Sequence, residues 1–111
     1  ALGTETLTTT TNWTDGPQVF DGVRAAKVLA AVGAHGEIAL GTALNDYAVA
    51  IPVSDFLDYP VLLALRANGV ELTSRDKGPI WVVYPRDDYR ELRDPRNDLK
   101  WIWQLRSIDV Q

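Results

Sequence analysis

At 111 residues the chain has room for one compact domain and not for two cores. Apolar residues make up 46% and charged residues 23%, ordinary globular usage that excludes a disordered tail, a collagen-like repeat or a low-complexity segment. The formal charge of −4 lacks the positive field that a nucleic-acid backbone attracts, and the absence of Cys, with His35 as the one histidine, excludes disulfides, thiolate metal sites and a Cys nucleophile.

No run approaches the eighteen apolar residues that a spanning helix needs, so the sequence predicts no membrane insertion. A start at Ala1 rather than Met is what a processed N-terminus leaves, and a leader could have been removed before it.

In chain order, the Thr-rich run Glu5 to Thr11 predicts a strand that ends at the turn-forming residues Asn12 to Pro17. A short strand at Val19-Phe20 stops at Asp21-Gly22. Ala25, Val28, Leu29 and Val32 then follow helical spacing, with Asp21 as the expected cap and Gly33 as the stop. Ile38 to Thr42 and Tyr47 to Val53 read as two strands, or one bent strand, about Asn45-Asp46, and Ser54 as the cap of one helical turn through Leu57. Asn68-Gly69, between Val61–Ala67 and Val70–Leu72, is a hairpin signal because both residues tolerate positive φ. Pro79 to Tyr84 is a further strand. Asp87 to Asp98 reads as an exposed charged loop, and the alternation of Trp101, Ile102, Trp103 and Gln104 as the start of a last strand. The sum is a single α+β domain over residues 1–111 in which the sheet dominates.

Chemistry-bearing residues concentrate late in the chain. Eight of the eleven basic residues lie between Arg75 and Arg106, whereas residues 1–74 carry net charge −5, so an anion site belongs in the later segment. Trp81, Trp101 and Trp103 fall there too, interleaved with Arg75, Asp76, Lys77, Tyr84 and Lys100. Planar faces beside fixed donors and a carboxylate suit a flat heteroaromatic ligand; the same aromatics could equally fill a small core behind a solvated rim. His35, after the helix, reads as a charge that complements the helix dipole. Asp87-Asp88 reads as a partner for nearby arginines rather than as a cation site. The glycines form no phosphate-cradling pattern.

The runs Thr8-Thr9-Thr10-Thr11-Asn12-Trp13, Phe20-Asp21-Gly22-Val23, Asn45 to Pro52, Arg75-Asp76-Lys77-Gly78-Pro79 and Lys100-Trp101-Ile102 resemble the molybdopterin-binding domain of the sulfite oxidase fold along nearly the whole chain. Arg75 to Pro85 and Lys100 to Leu105 are most similar to small stand-alone periplasmic pterin-binding proteins of the PruR type. Two departures matter. Aligning Asn12 with the Asn of the enzymes' C-A-G-N segment puts Thr9 where their molybdenum-binding Cys would be. Trp81 stands about where a phosphate-binding Arg would be, which removes a bidentate anion fork.

The resemblance therefore implies a non-enzymatic domain that binds an unphosphorylated pterin, of neopterin or tetrahydromonapterin type, without molybdenum. It further implies a periplasmic location and, as partner, the periplasmic region of a membrane-bound enzyme of cyclic-di-GMP metabolism. The expected stacking residues are Trp81, Tyr84, Trp101 and Trp103, and the expected edge contacts Asn45, Asp46, Tyr47, Arg75, Asp76 and Lys77. Lys100 matches a lysine that lies beside the pterin in the enzymes. The alternatives are a molybdopterin-dependent oxidoreductase, or a subunit of one, and an interaction domain with an emptied pocket.

Overall fold

The computed structural model describes residues 4–11, 13–14, 16–31, 33, 36–73 and 77–111, with the side chains of residues 95, 96 and 98 left out. His35, Arg75 and Asp76 lie outside the described residues, as do Asn12 and Val32.

Two antiparallel sheets share one core. In the first, β1 (Glu5–Thr9) pairs with β2 (Gln18–Arg24), and β2 with β5 (Leu62–Ala67). The other edge of β5 takes both β6 (Val70–Glu71) and β7 (Trp81–Val83). In the second, β3 (Ile38–Ala43) lies between β4 (Ala48–Pro52) and β8 (Leu105–Val110). The helix α1 (Ala25–Ala31) buries Ala25 and Leu29, and α2 (Val53–Asp58) buries Phe56. Ala39, Ile51 and Leu105 of the smaller sheet meet Phe20, Leu62 and Val82 of the larger one in the same apolar cluster.

The Asn68-Gly69 turn is the two-residue hairpin expected, with φ of 53° and 80°. Three other expectations need correction. Asp21-Gly22 does not end a strand: β2 runs through it, a register shift between the two residues absorbs the irregularity, and Asp21 accepts a 2.7 Å hydrogen bond from Thr6 Oγ1 across the pair. Asp21 is therefore no helix cap. Ser54 lies inside α2, whose cap position is Pro52 with no side-chain hydrogen bond. The alternating Trp101 to Gln104 is not strand either, because the last strand starts at Leu105 after Gln104 takes a φ of 55°.

The charged segment after Pro85 forms two 3-10 turns, Arg90–Arg93 and Pro95–Lys100. All three residues of β7 are buried, as are Tyr84 and Pro85 behind it. A strand covered on both faces shows no inside/outside alternation, so both alternating sets belong to the interior.

Candidate functional site: an aromatic cleft beside the buried strand

Main-chain hydrogen bonds build the site. The segment Lys100 to Leu105 lies along the stretch that leads into β7: Val82 N–H donates to Ile102 O at 2.8 Å, Gln104 N–H to Lys77 O at 2.8 Å and Leu105 N–H to Ile80 O at 2.9 Å. Gly78, in the same stretch, packs on its other side against the chain after β6, where a Cβ would collide with the backbone of Leu72 and Thr73. Leu44 N–H donates to Gln104 O at 2.8 Å and brings the β3–β4 turn against the same segment. Asn45 and Tyr47 thus face Trp101 and Trp103.

Between them opens a cleft of about 270 Å³ lined by Trp13, Ala43, Asn45, Tyr47, Leu99, Trp101, Ile102 and Trp103. Its walls are mostly apolar and aromatic. Trp13 packs against three indoles, with ring centroids 5.3 Å from Trp103, 5.8 Å from Trp101 and 6.2 Å from Trp81. Asn45 Oδ1 accepts the Tyr47 N–H at 3.1 Å, and its Nδ2 makes no hydrogen bond among the described residues. Lys77 sets its ammonium 5.4 Å from the Trp81 ring and 5.6 Å from the Trp103 ring, a double cation–π contact at the edge of the cleft.

Of the residues expected from the sequence, Asn45, Tyr47, Trp101 and Trp103 line the cleft, and Lys77 stands next to it. Four are placed elsewhere or unseen by the ligand. Trp81 is 1% exposed and forms the floor behind Trp13 and Trp101, packed edge-on to Phe20 at 5.3 Å, so it is not an open stacking face. Tyr84 is fully buried and donates its hydroxyl to Asp55 Oδ2 at 3.0 Å; burial, then the Asp55 charge and hydrogen bond, raise its phenol far above the ordinary value. Asp46 points to solvent and pairs with Arg106 at 3.2 Å. Lys100 turns from the cleft toward Asp55, 2.9 Å away, and borders a separate polar hollow with Glu91, Asp94 and Asn97.

Trp13 is the residue that sequence reasoning missed. It sits in a run of turn formers with no periodicity to reveal it, although it is adjacent to a motif residue, Asn12. Asp87, read as a partner for arginines, accepts both the backbone N–H and the hydroxyl of Thr10.

The chain matches the family model of the oxidoreductase molybdopterin binding domain over residues 3–89. It belongs to that family. No curated protein matches the chain. The match stops short of Leu99, Trp101, Ile102 and Trp103, so half of the cleft lining of this molybdopterin binding domain lies beyond it.

Among the described residues, the aromatic walls fit a pterin ring, and the position matched to the enzymes' metal-binding cysteine holds a threonine. Trp81 Nε1 is shielded from water and has no acceptor among the described residues, a donor left over directly behind the cleft. The cleft is smaller than the ~300–1,000 Å³ typical of drug-sized sites, which suits a bare two-ring heterocycle. Thr9, at the position matched to the metal-binding cysteine, is fully buried; its hydroxyl donates to Thr10 O at 3.2 Å and accepts the Asp87 N–H at 3.3 Å. A hydroxyl so engaged is a poor substitute for a thiolate on a high-valent metal. No group of three or more His, Asp or Glu suited to a metal exists among the described residues.

Proposed function

We propose that this domain is a pterin receptor: it binds an unphosphorylated pterin of neopterin or tetrahydromonapterin type, holds no molybdenum and catalyses no reaction of its own. The observation that carries the reading is the cleft between Trp13, Trp101, Trp103 and Tyr47, with the Asn45 amide at its rim. Indole faces stack on a flat ring, and fixed amide and indole N–H donors read its carbonyl and ring-nitrogen acceptors. The engaged Thr9 hydroxyl supports a metal-free ligand, and the uncharged indole of Trp81 in place of an arginine supports one without phosphate.

The likeness of Arg75 to Pro85 and Lys100 to Leu105 to PruR-type proteins supports a periplasmic sensor or adaptor. Its partner is then the periplasmic region of a membrane-bound enzyme that makes or degrades cyclic-di-GMP, and ligand occupancy is the signal passed on.

The test is a calorimetric titration of the purified protein with neopterin, and anaerobically with its tetrahydro form, alongside elemental analysis for molybdenum. Saturable one-site binding without metal is the expected result. Stoichiometric molybdenum with turnover of an oxidisable substrate would overturn it in favour of an oxidoreductase.

A further inference from the structure

Trp13 stands in the loop between β1 and β2, outside both sheets and outside the segment laid along β7. Its position depends on a short chain of side-chain bonds. The Trp13 N–H donates to Thr11 Oγ1 at 3.0 Å, and Thr11 Oγ1 lies 2.7 Å from Thr14 Oγ1, which closes a local turn around the indole. That turn is fastened to the rest of the molecule one residue earlier. Asp87 Oδ2 accepts the Thr10 N–H at 2.8 Å, Asp87 Oδ1 accepts the Thr10 hydroxyl at 2.5 Å, and the Asp87 N–H donates back to Thr9 Oγ1 at 3.3 Å. The far side of the fastening is itself held: Arg93 donates to Arg86 O at 3.2 Å and to Asp87 O at 3.1 Å.

From this arrangement we infer that Asp87 is the positioning residue of the cleft, acting through Thr10 to set the Trp13 indole against Trp101 and Trp103. The inference rests on the cleft being the pterin site, and it adds how one wall of that site is held. Asp87 lies outside the cleft lining and acts at a distance. Two hydrogen bonds to one ionised carboxylate, from the main-chain N–H and the hydroxyl of one residue, fix both the place and the rotation of the segment that follows. A single neutral acceptor there would fix the place alone.

The experiment combines near-UV circular dichroism of the ligand-free protein with neopterin calorimetry, on the parent, Asp87→Ala, Asp87→Asn, Thr10→Val, Trp13→Ala and the double variant Trp13→Ala/Asp87→Ala, with Asp88→Asn as control. Far-UV spectra establish that each variant is folded. Asp87→Ala is expected to alter the tryptophan near-UV band and to weaken neopterin binding about tenfold, with Asp87→Asn and Thr10→Val in between and Asp88→Asn unchanged. In the Trp13→Ala background, Asp87→Ala is expected to cost no further affinity, because residues that act through one another are not additive. Full additivity, or an unaltered near-UV band in folded Asp87→Ala, would overturn the positioning role. An altered band in Asp87→Ala, together with a parent protein that binds no neopterin, would support the role and overturn the pterin reading instead.

Discussion

Lys100 and Trp101 are neighbours in the chain and face opposite sides of the same wall: the indole lines the cleft, and the ammonium lies 2.9 Å from Asp55 on the other side. Asp55 also accepts the Tyr84 hydroxyl, and the Tyr84 ring lies 6.3 Å from that of Trp101 at a tilt of 32°. One carboxylate thus braces the back of the cleft wall.

Removing that carboxylate strands two groups at once. Asp55→Ala leaves the Tyr84 hydroxyl and the Lys100 ammonium without their acceptor and is expected to cost about 3 kcal/mol of stability. Asp55→Asn, which keeps an acceptor for Tyr84, is expected to cost about half of that. Urea unfolding of both variants checks the order; equal midpoints to the parent would show that the brace carries no weight.

Trp103 offers the cleanest test of the cleft. It is 37% exposed, so its loss disturbs packing less than loss of buried Trp101. Trp103→Ala is expected to weaken neopterin binding by ~1–3 kcal/mol, the range for removal of a stacking ring, with little change in melting temperature. Unchanged affinity would move the ligand out of the cleft.

The Asp87 fastening has a direction in pH. Burial pushes its carboxyl up, but the hydroxyl and backbone hydrogen bonds from Thr10 and the charges of Arg93 and Arg86 outweigh this and hold it below the ordinary value. A depressed folded value means that the contribution is complete above the unfolded value of about 4 and fades as pH falls through the folded one. The stability gap between the parent and Asp87→Asn should therefore be full at neutral pH and close only below about pH 4. A gap that closes near neutrality would assign it to another group.

An uncharged ligand leaves its own mark. Neopterin affinity is expected to vary by less than about twofold between about 0.05 and 0.5 M salt, since no ion pair is available to be screened. A steep loss with salt would point to an anionic ligand held by Lys77 and its basic neighbours.

Some of this was written plainly in the sequence. The Asn68-Gly69 hairpin follows from two residues that accept positive φ, and the strands β3 and β4 follow from apolar runs around a turn. Asp21-Gly22 misled because a bulge and a turn favour the same residues, and only the pairing of β2 with β5 decides between them. The alternation in Trp101 to Gln104 misled because the segment is held by separate main-chain bonds to residues 77–82 without a strand ladder of its own, and Trp101, Ile102 and Trp103 all line the cleft. Tyr84, expected as a stacking residue, is instead a buried ring that donates to Asp55, and a partner 29 residues away leaves no local signal. Trp13 ends a run that resembles the family, but nothing in its spacing marked it as a site residue. An aromatic residue in a loop gains meaning only from long-range contacts, here with rings more than sixty residues later in the chain.

The pairing of β3 with β8 joins Ala39 to Val110 and Ala43 to Leu105, the middle of the chain to its last strand. Trp101 and Trp103 approach Tyr47 only when that pairing closes. During synthesis, then, β1, β2, α1 and the β3–β4 hairpin can form while the cleft does not yet exist. The walls of the cleft therefore meet only after residues 101–110 have joined β3, and the earlier elements form without them.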